Sequence, residues 1–152
     1  MVGVCYNFGW GGVAQDYAEA VRLYSLAAAQ GHASAQNNLG LMFNLGKGVA
    51  QDYAEAVRLF RLAAAQGDEV AQNNLGFMFE NGRGVAQDYA EAMRLYRLSA
   101  AQGHADAQFY LGYMFENGRG VVQDKAEAVR LCRLAAAPVS YTHLTLPTKR
   151  IV

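Results

Sequence analysis

In the middle of the chain, Tyr53, Ala56, Phe60, Ala63 and Ala64 fall at i, i+3, i+7, i+10 and i+11. That spacing puts all five side chains on one face of an α-helix. Asp52 precedes them, with Glu55 three residues on, the arrangement of a capping box. Gly67 then offers a left-handed turn, and Asp68 restarts a helical pattern through Val70, Ala71, Leu75, Met78 and Phe79. Asn81 and Gly82 end it, and a short loop leads to the next Asp, at position 88. The pattern predicts helix, tight turn, helix, loop, with no alternation of the kind a strand needs.

The same pattern recurs along the chain. GVAQDYAEA stands at 12–20, 48–56 and 84–92, and an altered copy, GVVQDKAEA, at 120–128, a period of 36 residues. A fixed period of that size signals a solenoid, in which each unit buries its apolar face only against its neighbours. Three complete units run 12–47, 48–83 and 84–119. A partial repeat at 1–11 carries a second helix only, and another at 120–138 carries a first helix only. First helices are expected near 16–30, 52–66 and 88–102, and second helices near 32–44, 68–80 and 104–116. Gly40, Gly76 and Gly112 fall inside second helices, where glycine costs about 1 kcal/mol relative to alanine. A cost repeated in every unit predicts close approach by a neighbouring helix, with Ala63 and Ala64 serving similar contacts. Leu39, Leu75 and Leu111, with Phe60, Tyr96, Phe79 and Phe115, are expected to be buried between units.

Across residues 2–137 the chain resembles the Sel1-like repeat family, a relative of the tetratricopeptide repeat with a slightly longer unit. The likeness lies in Ala71, Leu75-Gly76, Met78-Phe79, Gly82, Gly84-Val85 and Asp88. It continues through Ala92, Leu95-Tyr96, Ser99-Ala100 and Gln102-Gly103. The family commonly has Trp where Leu23, Leu59, Leu95 and Leu131 stand, and the loop Gly9-Trp10-Gly11-Gly12 is one residue longer than its later counterparts. The resemblance implies an all-α fold, a right-handed α-solenoid of antiparallel helix pairs, and a non-enzymatic scaffold that binds protein or peptide. Some cysteine-rich relatives are β-lactam-binding or β-lactam-hydrolysing, which is the alternative the resemblance leaves open.

Composition narrows the partners. Lys plus Arg and Asp plus Glu each count 13, so no net field attracts phosphates or anionic lipid, and nucleic acid is not expected as a partner. No apolar run approaches the roughly 18 residues of a membrane span, and the start shows no basic region followed by an apolar one. Ser-x-x-Lys, His-Glu-x-x-His and Gly-x-Ser-x-Gly are all absent from the sequence. The glycines around Arg83 recur in every unit without a following Lys-Ser/Thr, so turn geometry explains them better than phosphate binding. His32, Asp68 and His104 share one repeat position and read as helix caps. Cys5 and Cys132 lie about three repeats apart, too far for a bridge in a stacked array, and Cys132 takes the packing position of Tyr24, Phe60 and Tyr96. A buried thiol is therefore expected there. No cofactor and no metal are expected.

Charged side chains also recur with the period. Arg22, Arg58, Arg94 and Arg130 follow Glu19, Glu55, Glu91 and Glu127 at i, i+3, and Arg61, Arg97 and Arg133 recur beside them. Pairing with those glutamates is the plainer reading. The functional one is a ladder of guanidinium groups in which Arg58, Arg61, Arg94 and Arg97 contact acidic or polar segments of a partner. Residues 139–152, VSYTHLTLPTKRIV, share nothing with any repeat and resemble read-through into a sequencing adapter. That segment is expected to be non-native or disordered and removable without loss of helicity, leaving a fragment of a longer repeat protein. Ser140, Tyr141 and His143 then carry no function.

Overall fold

Each Asp that precedes a YAEA or KAEA segment opens a helix by accepting from the backbone N–H three residues on. Asp16, Asp52, Asp88 and Asp124 accept through Oδ1 at 3.0–3.1 Å from Glu19, Glu55, Glu91 and Glu127. In the computed structural model, which describes residues 16–137, seven helices follow one another. They are α1 (Tyr17–Ala29), α2 (Ala33–Leu45), α3 (Tyr53–Ala65), α4 (Glu69–Asn81), α5 (Tyr89–Ala101), α6 (Ala105–Asn117) and α7 (Lys125–Ala136). No strand occurs among the described residues. The fold is therefore all-α, and each helix lies within a residue or two of its expected span. Residues 1–11, the first loop, Cys5 and the segment 139–152 lie outside the described residues.

Only half of the expected capping box forms. The Glu carboxylates do not reach back to the cap but turn forward to arginine, Glu55 accepting from Arg58 Nε at 2.9 Å. The second helices are capped less uniformly. Asp68 Oδ1 accepts from Ala71 N at 2.8 Å and His104 Nδ1 from Ala107 N at 3.3 Å, whereas His32 makes no such bond.

The glycine inside each second helix marks the closest helix contact. A Cβ on Gly76 would come within 2.9 Å of the Tyr96 ring and 3.3 Å of Ala92 O, and one on Gly40 would strike the Phe60 ring. A Cβ on Gly112 would meet Ala128 O and Cys132 Sγ at 3.1 Å. The tightest approach therefore joins a second helix to the first helix of the following unit, across the loop. Around it lie Ala56, Val57, Phe60, Leu75, Met78 and Leu95, all nearly solvent-free, and equivalent clusters form in the flanking units. The second helices also touch one another: Asn74 Nδ2 donates to Asn37 Oδ1 at 2.9 Å, and Phe77 and Tyr110 rings lie 6.2 Å apart.

Three packing expectations need correction. Leu39, Leu75, Leu111, Phe60 and Tyr96 are buried, but Phe79 and Phe115 are only half-buried. Each lies under a guanidinium, Phe79 beneath Arg61 at 5.6 Å and Phe115 beneath Arg97 at 6.0 Å. Ala63 is fully buried while Ala64 is half-buried at the edge of a groove. Cys132 is exposed and free. It sits against Gly112 as Phe60 sits against Gly40, but a thiol covers less than a ring, and no second helix follows α7 among the described residues.

Candidate interaction surface

First helices of consecutive units are parted by grooves, and the grooves repeat with the sequence. Between α1 and α3 a cleft of about 480 Å³ is lined by Ser25, Ala28, Leu39, Arg58, Leu59 and Leu62. One period on, a cleft of about 430 Å³ is lined by Arg61, Ala64, Leu75, Arg94, Leu95 and Leu98. These residues correspond position by position, with Arg61 where the first groove has Ser25. A buried glutamine closes each floor: Gln36 and Gln72 accept at 2.8 Å from the Gln66 and Gln102 amides of the following unit.

The four arginines expected to form one ladder fall into two kinds. Arg58 and Arg94 are clamped by their own glutamates through two bonds each, Nε to Oε2 at 2.9 Å and Nη2 to Oε1 at 2.5–2.6 Å. The hydrogen bond from Arg94 holds the Glu91 carboxyl below its ordinary range, and the Glu55 and Glu91 carboxylates push the Arg58 and Arg94 guanidiniums up. Their charge is largely balanced in place. Arg61 and Arg97 instead lie over Phe79 and Phe115, and they add cationic character near Glu91 and Glu127, carboxyls already taken by Arg94 and Arg130. The second groove thus holds two guanidiniums against one carboxylate, and the first holds Arg58 beside its own Glu55.

A set of residues that the turn reading passed over lies in the loops. Gly82 ends α4 with φ 63°, and a Cβ on Gly84 would come within 2.5 Å of Tyr53 O, so the loop is pressed onto the start of α3. Arg83, held between these two glycines, lies over the Tyr53 ring at 5.5 Å and the Phe77 ring at 5.3 Å. Arg119 repeats this over Tyr89 and Tyr113 at 5.7 and 5.0 Å, and Lys47 lies over Tyr17 at 5.3 Å. A basic residue between paired glycines, with a Tyr opening each first helix, was the signal available in the sequence. Arg119 also reaches the buried Glu80 at 3.5 Å, whose other oxygen accepts from Tyr96 OH at 2.8 Å. Burial and the Glu80 carboxylate together push the Tyr96 phenol far up.

Comparison with known proteins agrees with this architecture. The chain is 42% identical, over 89% of its length, to a protective antigen present in uropathogenic Escherichia coli strains that displays an SLR fold, with a TM-score of 0.82. A Sel1 repeat protein from Oxalobacter formigenes is 37% identical over 89% of this chain, also with a TM-score of 0.82. The chain spans 29% of the first of these proteins and 55% of the second. Cysteine rich protein B of Helicobacter pylori shares the fold, at 21% identity, a TM-score of 0.62, and coverage of 87% of this chain and 95% of that one. No curated protein matches. The sequence model described as Sel1 repeat matches residues 1–32, 33–68, 70–104 and 105–137, so that its internal boundaries fall at the starts of second helices. With four such segments following one another along the described helices, the chain belongs to the Sel1 repeat family.

Proposed function

We propose that the protein is a non-enzymatic scaffold that binds a segment of a partner protein across several repeats. The observation that carries this reading is the recurrence of one groove, with matching lining, at a spacing of one unit. A surface built this way offers several similar footholds and no single pocket, which suits an extended ligand. Leu62 and Leu98, each 43% exposed, give the grooves apolar contact, Arg61 gives the second groove surplus positive charge, and Arg97 takes the same place over Phe115 one unit on. Acidic or polar partner segments fit best, with affinity that falls as salt rises. Arg58 and Arg94 join as the clamped members of the same ladder.

The test is capture of partners by the native protein, followed by charge reversal. Arg61→Glu with Arg97→Glu is expected to reduce partner recovery severalfold, and Arg58→Glu with Arg94→Glu to reduce it less, because those two already share their charge with glutamate. Unchanged recovery in both double variants would remove the arginines from the mechanism. The hydrolytic alternative gains no support from the Helicobacter pylori protein, whose likeness is one of fold alone.

A further inference from the structure

The loop cations form a second surface, separate from the first-helix grooves. Stacking occupies the two faces of a guanidinium but leaves its N–H groups pointing outward in the plane. Arg83, an exposed residue, lies over the Tyr53 and Phe77 rings, and its side chain makes no hydrogen bond or ion pair among the described residues. The counterpart of its position, Arg119, spends one donor on Glu80, but the residue that stands where Glu80 would face Arg83 is Asn44, which is neutral. Lys47 likewise has a ring and, among the described residues, no carboxylate. Among the described residues the edge therefore carries two cations without acidic partners and a third with one, on a chain whose net charge is zero. Beside its Arg119 end the second-helix face turns aromatic: Phe109 is 53% exposed and Tyr113 37%, where the preceding unit has Asn73 and Phe77.

From this we infer that the edge formed by Lys47, Arg83 and Arg119 binds an extended acidic peptide segment, with one carboxylate on the outward fork of Arg83 and an apolar side chain on Phe109 and Tyr113. Charge complementarity chooses the occupant, and the aromatic neighbours favour a peptide over a free anion. Packed helices lie about 8–10 Å apart, and a chain extended as polyproline II advances about 3.1 Å per residue and returns to the same face every third residue, so acidic side chains three residues apart match successive loops. The inference rests on the scaffold reading and adds a surface and a ligand class to it.

Fluorescence anisotropy on the whole chain tests it. The probe is a labelled peptide of about ten residues, with glutamate at every third position and one phenylalanine near an end. Arg83→Gln is expected to weaken binding about tenfold, as loss of a bidentate charged pair does. Arg83→Lys should weaken it nearly as much, because an ammonium keeps the charge but loses the fork and the stack. Binding by Arg83→Gln within twofold of the parent would overturn the proposal, as would displacement of the peptide by inorganic phosphate at matched charge. The Arg61→Glu, Arg97→Glu variant separates the two readings. If it alone loses the peptide, the scaffold stands and the loop edge falls; if the parent captures partners but ignores the peptide, the edge falls again.

Discussion

Asn44 and Glu80 hold the same place in successive units, and one side chain across the core decides how each is satisfied. Tyr96 donates its hydroxyl to Glu80, whereas Phe60, one period earlier, has none, and Asn44 Oδ1 is left buried without a donor among the described residues. An orphaned buried acceptor costs stability that a neighbouring hydroxyl restores. Phe60→Tyr is therefore expected to stabilise the protein by about 0.5–1.5 kcal/mol, read as a higher urea midpoint. The site accepts the ring, since Tyr96 fits against Gly76 as Phe60 fits against Gly40. A lower midpoint would mean that the hydroxyl does not reach Asn44. The same logic explains Asn73: Asn74 donates to Asn37 one unit earlier, but Tyr110 stands where Asn73 needs an amide, and its Oδ1 is unpartnered. Tyr110 instead stacks on Tyr96 at 5.4 Å, so the third unit exchanges a polar rung for an aromatic one.

At the scale of the helix, stability at each N-terminus depends on a carboxylate at the cap and a second one bound to arginine. Asp52→Ala is expected to cost about 0.5–2 kcal/mol, measured by denaturant unfolding, because the N–H of Glu55 loses its acceptor. The glutamates give the pH dependence its sign. In α1, α5 and α7, the arginine hydrogen bond lowers the carboxyls of Glu19, Glu91 and Glu127 below 4.5. A carboxyl lowered by folding stabilises the fold above its unfolded value and loses that contribution as pH falls through the folded one. The contribution of these glutamates to thermal stability should therefore be flat from neutral pH down to about 5 and fall below it. The Glu91–Arg94 share is below about 1 kcal/mol after solvent screening. Arg94→Gln should make the acid slope shallower; an unchanged slope would show that other groups govern it.

Across the whole molecule, each helix packs on its chain neighbours, and the second helices also meet across one unit. Stability in such an array is a sum of unit and neighbour terms. Leu75→Ala empties a site at the centre of the middle cluster and should cost about 2–5 kcal/mol. Hydrogen exchange should report where that loss is felt. Protection is expected to fall first in α3, α4 and α5 and least in α1 and α7. Uniform loss over all seven helices would indicate a single cooperative unit, and a cost under about 1 kcal/mol would mean that the α4 face is assigned wrongly.

The sequence by itself determined the period, the helix spans, the capping aspartates and the need for glycine inside the second helices. Those features depend on residues within a turn or two of one another, or on exact recurrence, and both are visible along the chain. Only the tertiary structure decided which neighbours meet. Gly76 announced a close approach, but its partner, Tyr96, lies across a loop in the following unit. Phe79 reads as a core residue by spacing, yet it borders a groove because the first helices stand apart there, and Arg61 covers it. Cys132 reads as buried by alignment, yet burial needs a covering helix, which no local pattern supplies. The glycines around Arg83 read as turn geometry alone; the loop had to fold back onto Tyr53 before the Arg83 guanidinium came to lie over two rings. Local spacing fixes which face a side chain is on, and packing between units fixes what that face touches.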